Sequence, residues 1–172
     1  MMLAKIVVTA IFLIIINITD VREFKIKNKT VVPFMIIGII IGIINKTVSD
    51  SLTGLVLPLL LFPLFALKML GAGDIKALCA IGAVVGFKMS LSTMIFTFLA
   101  GGVIGIGFMA VNSNLLSRIK YLGAYLRMCF LTRTMQKYDF GGYNKSYFRF
   151  AYAITAGTIL MFVNEFVHIV NL

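Results

Sequence analysis

The chain has 172 residues, of which 60% are hydrophobic and only 13% are charged, and its mean hydropathy is +1.04. A soluble domain of this length could not keep so much apolar surface from water, so we expect lipid to surround most of the chain. The formal net charge of +10 would suggest nucleic acid in a soluble protein. In a membrane protein it indicates Lys and Arg at anionic headgroups, so the expected partners include membrane lipids and no nucleic acid.

Apolar runs separated by polar breaks predict an all-α membrane protein, a polytopic bundle of about six transmembrane helices in a single integral-membrane domain over residues 1–172. A complete span needs about 20 residues, so the short fourth run is expected to be either tilted within the bundle or re-entrant. The first run lacks a small-x-small cleavage site and is expected to be a retained helix. The runs are Leu3–Ile18, Val31–Ile44, Leu52–Leu70, Ile75–Gly86, Ser90–Val111 and Phe150–Val170.

The distribution of Lys and Arg predicts how the bundle is oriented. If all six runs cross the membrane, most of the 16 basic residues lie in loops on one side, and only Lys5, Lys46 and Lys88 lie on the other. The positive-inside bias then places both termini outside and the basic loops in the cytoplasm of a cell-membrane protein. Asp20 and Asp74 fall on the cytoplasmic side in this topology.

Three GxxxG patterns occur within the predicted spans. Small residues four positions apart allow helix backbones to approach closely in lipid, so each pattern predicts a packing face. The patterns are Gly38/Gly42, Gly82/Gly86 and Gly101/Gly105.

Residues 115–130 have a different pattern from the spans. Apolar side chains recur at helical spacing on one face, and Lys120 and Arg127 lie on the opposite face. This pattern predicts an amphipathic helix in the cytoplasmic interface of the membrane.

Two of the six acidic residues lie at predicted cytoplasmic ends of spans. Asp20 follows the first span and Asp74 precedes the fourth. Taken singly, Asp74 would be a helix cap and Asp20 a headgroup-level charge paired with a nearby base. Asp50 is expected to be a solvated loop charge, and Asn17 either to hydrogen-bond Asp20 or to pack between helices.

Taken together, the two carboxylates of Asp20 and Asp74 could perform chemistry. Two carboxylates a few ångströms apart cannot both ionise cheaply, so one keeps a proton. The ionised member can accept a proton from water while its neighbour protonates a leaving amide. Gly71 and Gly73 would leave room beside Asp74 for a neighbouring helix or an extended peptide.

The motifs around these aspartates resemble those of a known family. The segment GAGDIK, with Gly71, Gly73, Asp74 and Lys76, resembles the GxGDxK motif of type IV prepilin peptidases, which are GxGD membrane aspartyl proteases. The segment DVREFKIKN, which begins at Asp20, resembles the first catalytic segment of that family, where Lys here replaces the usual Pro of a KIPN-like ending. FRFAYAITAG resembles its last-helix signature, also without the usual Pro. The resemblance covers most of the chain.

This resemblance implies a specific activity. Such enzymes remove the short basic leader from type IV pilin-like precursors at the cytoplasmic face, typically after a Gly. It implies that Asp20 and Asp74 are the catalytic pair, with Gly71, Gly73 and Lys76 as supporting motif residues. Larger members carry paired cysteines and also methylate the new N-terminus. This chain has no CxxC pair, so we expect the short, peptidase-only form.

No metal or small-molecule cofactor is expected. The chain has only two cysteines and one histidine, too few to assemble a tetrahedral zinc site without several carboxylates.

Two other classes of protein remain open from the sequence. A small transporter or channel subunit could use the same carboxylates for protons or cations, although this needs ionisable groups near the bilayer midplane. The second class is a structural assembly protein of a pilus or secretion machine, and only the aspartate pair and its motif argue against it.

Overall fold

The computed structural model describes residues 2–23, 26–66, 70–111 and 150–170, together with positions 124 and 127. All regular elements within these residues are helical, which confirms the predicted all-α fold. The amphipathic helix predicted over 115–130 lies outside the described residues, apart from two isolated positions. The elements are α1 (Met2–Glu23), α2 (Asn28–Ile44), α3 (Val48–Val56), a 3₁₀ segment (Leu57–Leu61), α4 (Phe62–Ala66), α5 (Ala72–Val85), α6 (Phe87–Val111) and α7 (Phe150–Val170).

Four stretches of the described chain are long and apolar enough to cross a membrane. They are Met2–Val21, Val48–Ala66, Phe87–Gly107 and Phe150–His168. Helices also form at the two remaining predicted runs, but α2 has 17 residues and α5 only 14. At 1.5 Å per residue, α5 is about 21 Å long, shorter than the hydrocarbon core of about 30 Å. The six crossings therefore remain a prediction.

Helix α5 forms the centre of the bundle. Every residue from Ile75 to Val85 is buried except Lys76. The helix packs against α1, α2, α3, α6, α7 and the 3₁₀ segment. The surrounding helices instead expose large apolar side chains, such as Ile14, Val103 and Leu160, in the manner of lipid-facing surfaces. The structure thus places the short fourth run inside the bundle, where protein surrounds it.

Two of the three GxxxG patterns pack as predicted. A Cβ on Gly38 would lie 2.6 Å from the carbonyl carbon of Ala83, and a Cβ on Gly82 would overlap the carbonyl oxygen of Gly54. The third pattern packs at one end. A Cβ on Gly101 would lie 3.1 Å from the ring of Phe150, whereas no atom of the described chain lies within 4 Å of the same position on Gly105.

The end of α5 opposite Asp74 is closed by two polar contacts. Lys5 Nζ donates to the carbonyl oxygen of Val85 over 3.0 Å, and the N–H of Phe87 donates to Asp50 Oδ1 over 2.9 Å. The predicted loop position of Asp50 was wrong. Asp50 lies in the first turn of α3, and its carboxylate satisfies an N–H at the start of α6 that has no partner within its own helix.

Candidate active site

Asp20 lies in the last turn of α1 and is half-buried. One turn earlier, Asn17 Nδ2 donates to Thr155 Oγ1 on α7 over 2.6 Å and to the carbonyl oxygen of Leu13 over 2.8 Å. Of the two roles considered for Asn17, helix packing is therefore confirmed. This contact ties the end of α1 that carries Asp20 to α7.

Asp74 lies in the first turn of α5, ahead of the predicted fourth span. Gly71 is the N-cap of α5, with φ −76° and ψ 144°, and its N–H donates to Asp74 Oδ2 over 3.2 Å. The capping role weighed for Asp74 is thus present, although Asp74 occupies the third helical position and not the cap itself. The bond satisfies a backbone donor at the helix start and orients the carboxylate.

The structure brings Asp20 and Asp74 within electrostatic reach of each other. Burial, the largest effect, and the negative charge of Asp20 both raise the pKa of Asp74, which moves from its ordinary value of 3.8 to about 6 overall. The N–H of Gly71 opposes both effects by favouring the carboxylate. Burial and a neighbouring like charge both favour a neutral acid, so Asp74 holds its proton more tightly than an exposed aspartate does.

The two glycines of the GAGD segment leave room for the carboxylate of Asp74 and for the side chain of Ile26. A Cβ on Gly71 would lie 2.8 Å from Asp74 Oδ2, and a Cβ on Gly73 would lie 3.1 Å from Cβ of Ile26. Gly71 therefore makes space for the carboxylate itself. Gly73 leaves room for Ile26, which lies in the connection between α1 and α2 and not in a neighbouring helix. The approach of an extended peptide beside Asp74 stays a prediction.

Lys27 keeps the backbone that the usual proline would impose. It has φ −79° and ψ 144° and precedes the first residue of α2. Proline fixes φ near −65 ± 15°, so the backbone at Lys27 lies within that range. A proline at position 27 would therefore fit the backbone that Lys27 adopts.

Sequence reasoning gave no role to Asn28. Lys76 is exposed, and its Nζ donates to Asn28 Oδ1 over 2.9 Å. Asn28 is the last residue of the DVREFKIKN segment, and its place in that segment was the only sequence feature that could have pointed to a role for it. Its partner could not be read from the sequence, because 48 positions separate the two residues.

Within the described residues, no group of three or more His, Cys, Asp or Glu side chains is placed to hold a metal ion. The only described cysteine, Cys79, is buried in α5, away from the exposed start of that helix.

The raised pKa of Asp74 predicts how the stability of the protein depends on pH. Because the folded-state pKa of about 6 lies above the unfolded value, the stability from the neutral acid is present below pH ~4 and is lost as the pH rises through ~6. Asp74→Asn keeps an acceptor for Gly71 and never ionises. We expect the variant to match the wild type in thermal unfolding at pH 3.5 and to exceed it at pH 7.5. A constant difference at both pH values would contradict this assignment.

The model of the type IV leader peptidase family matches residues 7–106 of the chain. The match covers more than half of the chain, from α1 into α6, and includes both aspartates and the GAGDIK segment. No curated protein and no solved structure matches the chain.

Proposed function

This chain belongs to the type IV leader peptidase family, and we propose that it is an aspartic endopeptidase whose catalytic residues are Asp20 and Asp74. The observation that carries the proposal is the charge of Asp20 acting on the half-buried carboxylate of Asp74. Two interacting carboxylates in a partly desolvated position are the arrangement that retains one proton between them. The whole chain, 1–172, would act as a single membrane peptidase domain.

The proposed reaction needs one proton on the aspartate pair. The ionised carboxylate accepts a proton from water as the water oxygen attacks the carbonyl carbon of the scissile peptide bond. The protonated carboxylate gives its proton to the departing nitrogen, and the C–N bond breaks. The pair then again holds one proton, which came from the water. Precursor binding would exclude further water and raise the apparent pKa of the pair above that of the free enzyme.

The substrate class follows from the family. We propose that the enzyme removes the short basic leader of type IV pilin-like precursors after a Gly, and that the apolar helix of the precursor stays in the bilayer. We also propose that the aspartates lie at the cytoplasmic face and both termini outside, because the positive-inside bias of Lys and Arg favours this orientation. The sequence has no CxxC pair, and we propose peptidase activity without methyl transfer.

A cleavage assay tests this function. The protein is co-expressed with a pilin-like precursor, and leader removal is followed by gel shift and by mass spectrometry of the new N-terminus. We expect a single cut after a Gly, with the helix of the precursor intact. An uncut precursor beside correctly inserted wild-type protein would refute the peptidase proposal.

The transporter alternative gains no support from the described helices. Proton or cation transport needs ionisable side chains near the middle of the bilayer. The charged residues of the described helices lie within about two turns of a helix end, as Lys5, Asp50 and Glu165 do. The same assay separates the two classes, because a transporter would leave the precursor whole.

Chelation is expected to leave cleavage unchanged. Because the proposed pair activates water through a carboxylate, the rate should need no bound metal. The measurement compares leader removal by purified protein before and after incubation with EDTA, with excess Mg²⁺ or Zn²⁺ restored in parallel samples. A tenfold or greater loss that one metal reverses would contradict the two-carboxylate mechanism.

A further inference from the structure

The two segments that carry the aspartates also meet outside the carboxylates. Ile26, in the connection between α1 and α2, packs against the GAGD turn where Gly73 has no side chain. Two residues later, Asn28 opens α2, and its Oδ1 accepts a hydrogen bond of 2.9 Å from Lys76 Nζ. An apolar contact and a charge-assisted hydrogen bond therefore hold this connection against the start of α5.

We propose that Lys76 and Asn28 are positioning residues, whose hydrogen bond holds the segment after α1 against the start of α5 and so fixes the separation of Asp20 and Asp74. This inference rests on the proposed function. Six positions along the chain separate Asp20 from Ile26, so anchoring the connection restricts where the last turn of α1 can lie. A bond between Lys76 and Asn28 thus acts on the catalytic pair through the chain that joins them.

The geometry of α5 argues against a direct action of Lys76 on Asp74. Residues two positions apart on an α-helix point about 200° away from each other and do not face one another. Lys76 is directed toward α2, where Asn28 Oδ1 accepts a hydrogen bond from its ammonium group.

The test is a kinetic double-mutant cycle on the full-length protein, with a pilin-like precursor as substrate. Lys76→Met and Asn28→Ala each remove the bond, and the double variant removes it once. Because small misplacements of catalytic groups cost as much as about 100-fold in rate, we expect each single variant to lower kcat by about 10- to 100-fold with little change in KM. The double variant should be no slower than the slower single variant.

Two matched variants distinguish loss of the Lys76–Asn28 hydrogen bond from loss of a positive charge. Asn28→Asp keeps an acceptor for Lys76 and should retain nearly wild-type kcat. Lys29→Met removes an equal charge next to Asn28 and should leave kcat unchanged, since Lys29 is exposed on the neighbouring position of α2.

Several outcomes would overturn the inference. Multiplicative losses in the double variant would show that Lys76 and Asn28 act independently. A change confined to KM would assign Lys76 to substrate binding. An equal loss in Lys29→Met would assign the effect to overall charge. Unfolding of either single variant, seen by circular dichroism, would make the contact a general structural one. A wild-type protein that cleaves nothing refutes the proposed function instead, whereas an active wild type with unaffected variants refutes only the positioning role.

Discussion

Asp20→Asn and Asp74→Asn are each expected to abolish leader removal while leaving the protein folded in the membrane. Asparagine has nearly the same size as aspartate and accepts a hydrogen bond, but it can neither take a proton from water nor donate one from a carboxyl group. General acid–base catalysis contributes about 10²- to 10⁴-fold for each proton transfer, so each variant should lose at least about 10³-fold in kcat. Single-turnover cleavage of a precursor measures the loss.

The Asp20→Asn/Asp74→Asn double variant and a control at Asp50 test whether the loss of activity is specific to the catalytic pair. Residues that act as one unit are not additive, so the double variant should be hardly slower than either single one. Asp50→Asn is the matched control. Asp50 accepts a backbone hydrogen bond at the other end of α5, and asparagine can keep that bond, so cleavage should continue at the wild-type rate. Activity above a tenth of wild type in either Asp20→Asn or Asp74→Asn would remove that residue from the catalytic pair.

The positions of the two aspartates at helix ends could be predicted from hydropathy. Each lies at the border between an apolar run and a polar segment. In the structure α1 ends at Glu23, three residues after Asp20, and α5 begins at Ala72, two residues before Asp74. Their mutual proximity could not be predicted from the local pattern, because it depends on how α1 packs against α5. The GxGDxK resemblance supplied that expectation, and the effect of Asp20 on the pKa of Asp74 agrees with it.

The central position of α5 could not be read from the sequence. An apolar helix in a membrane protein packs equally well against lipid or against other helices, so hydropathy does not separate the two surroundings. The signal that pointed inward was the GxxxG pattern at Gly82 and Gly86, since close backbone approach requires a protein neighbour. The contacts of Asp50 and Asn28 join positions that are 37 and 48 residues apart, and no local pattern specifies such pairs.

The close approach of α3 to α5 predicts a large structural effect of one substitution. Gly82→Leu places a side chain where the carbonyl oxygen of Gly54 now lies, and Ser90 Oγ would be 2.7 Å from the new Cβ. Backbone cannot move aside as a flexible side chain can, so α3 must separate from α5. Overpacking costs about 1–3 kcal/mol and occasionally more, and here it acts at the centre of the bundle. We expect Gly82→Leu to lose most of its folded protein.

Gly102→Leu on α6 is the control that isolates packing from helix propensity. No atom of the described chain lies within 4 Å of a Cβ at Gly102, and that position is exposed. Both substitutions gain the same intrinsic preference of Leu over Gly for a helix, about 0.8 kcal/mol, so a difference between them reports the neighbouring backbone. Thermal unfolding and size-exclusion profiles in one detergent should show Gly102→Leu close to the wild type. If Gly82→Leu were equally stable, α3 and α5 could not pack backbone to backbone, and α5 would lose its place as the buried helix that presents Asp74.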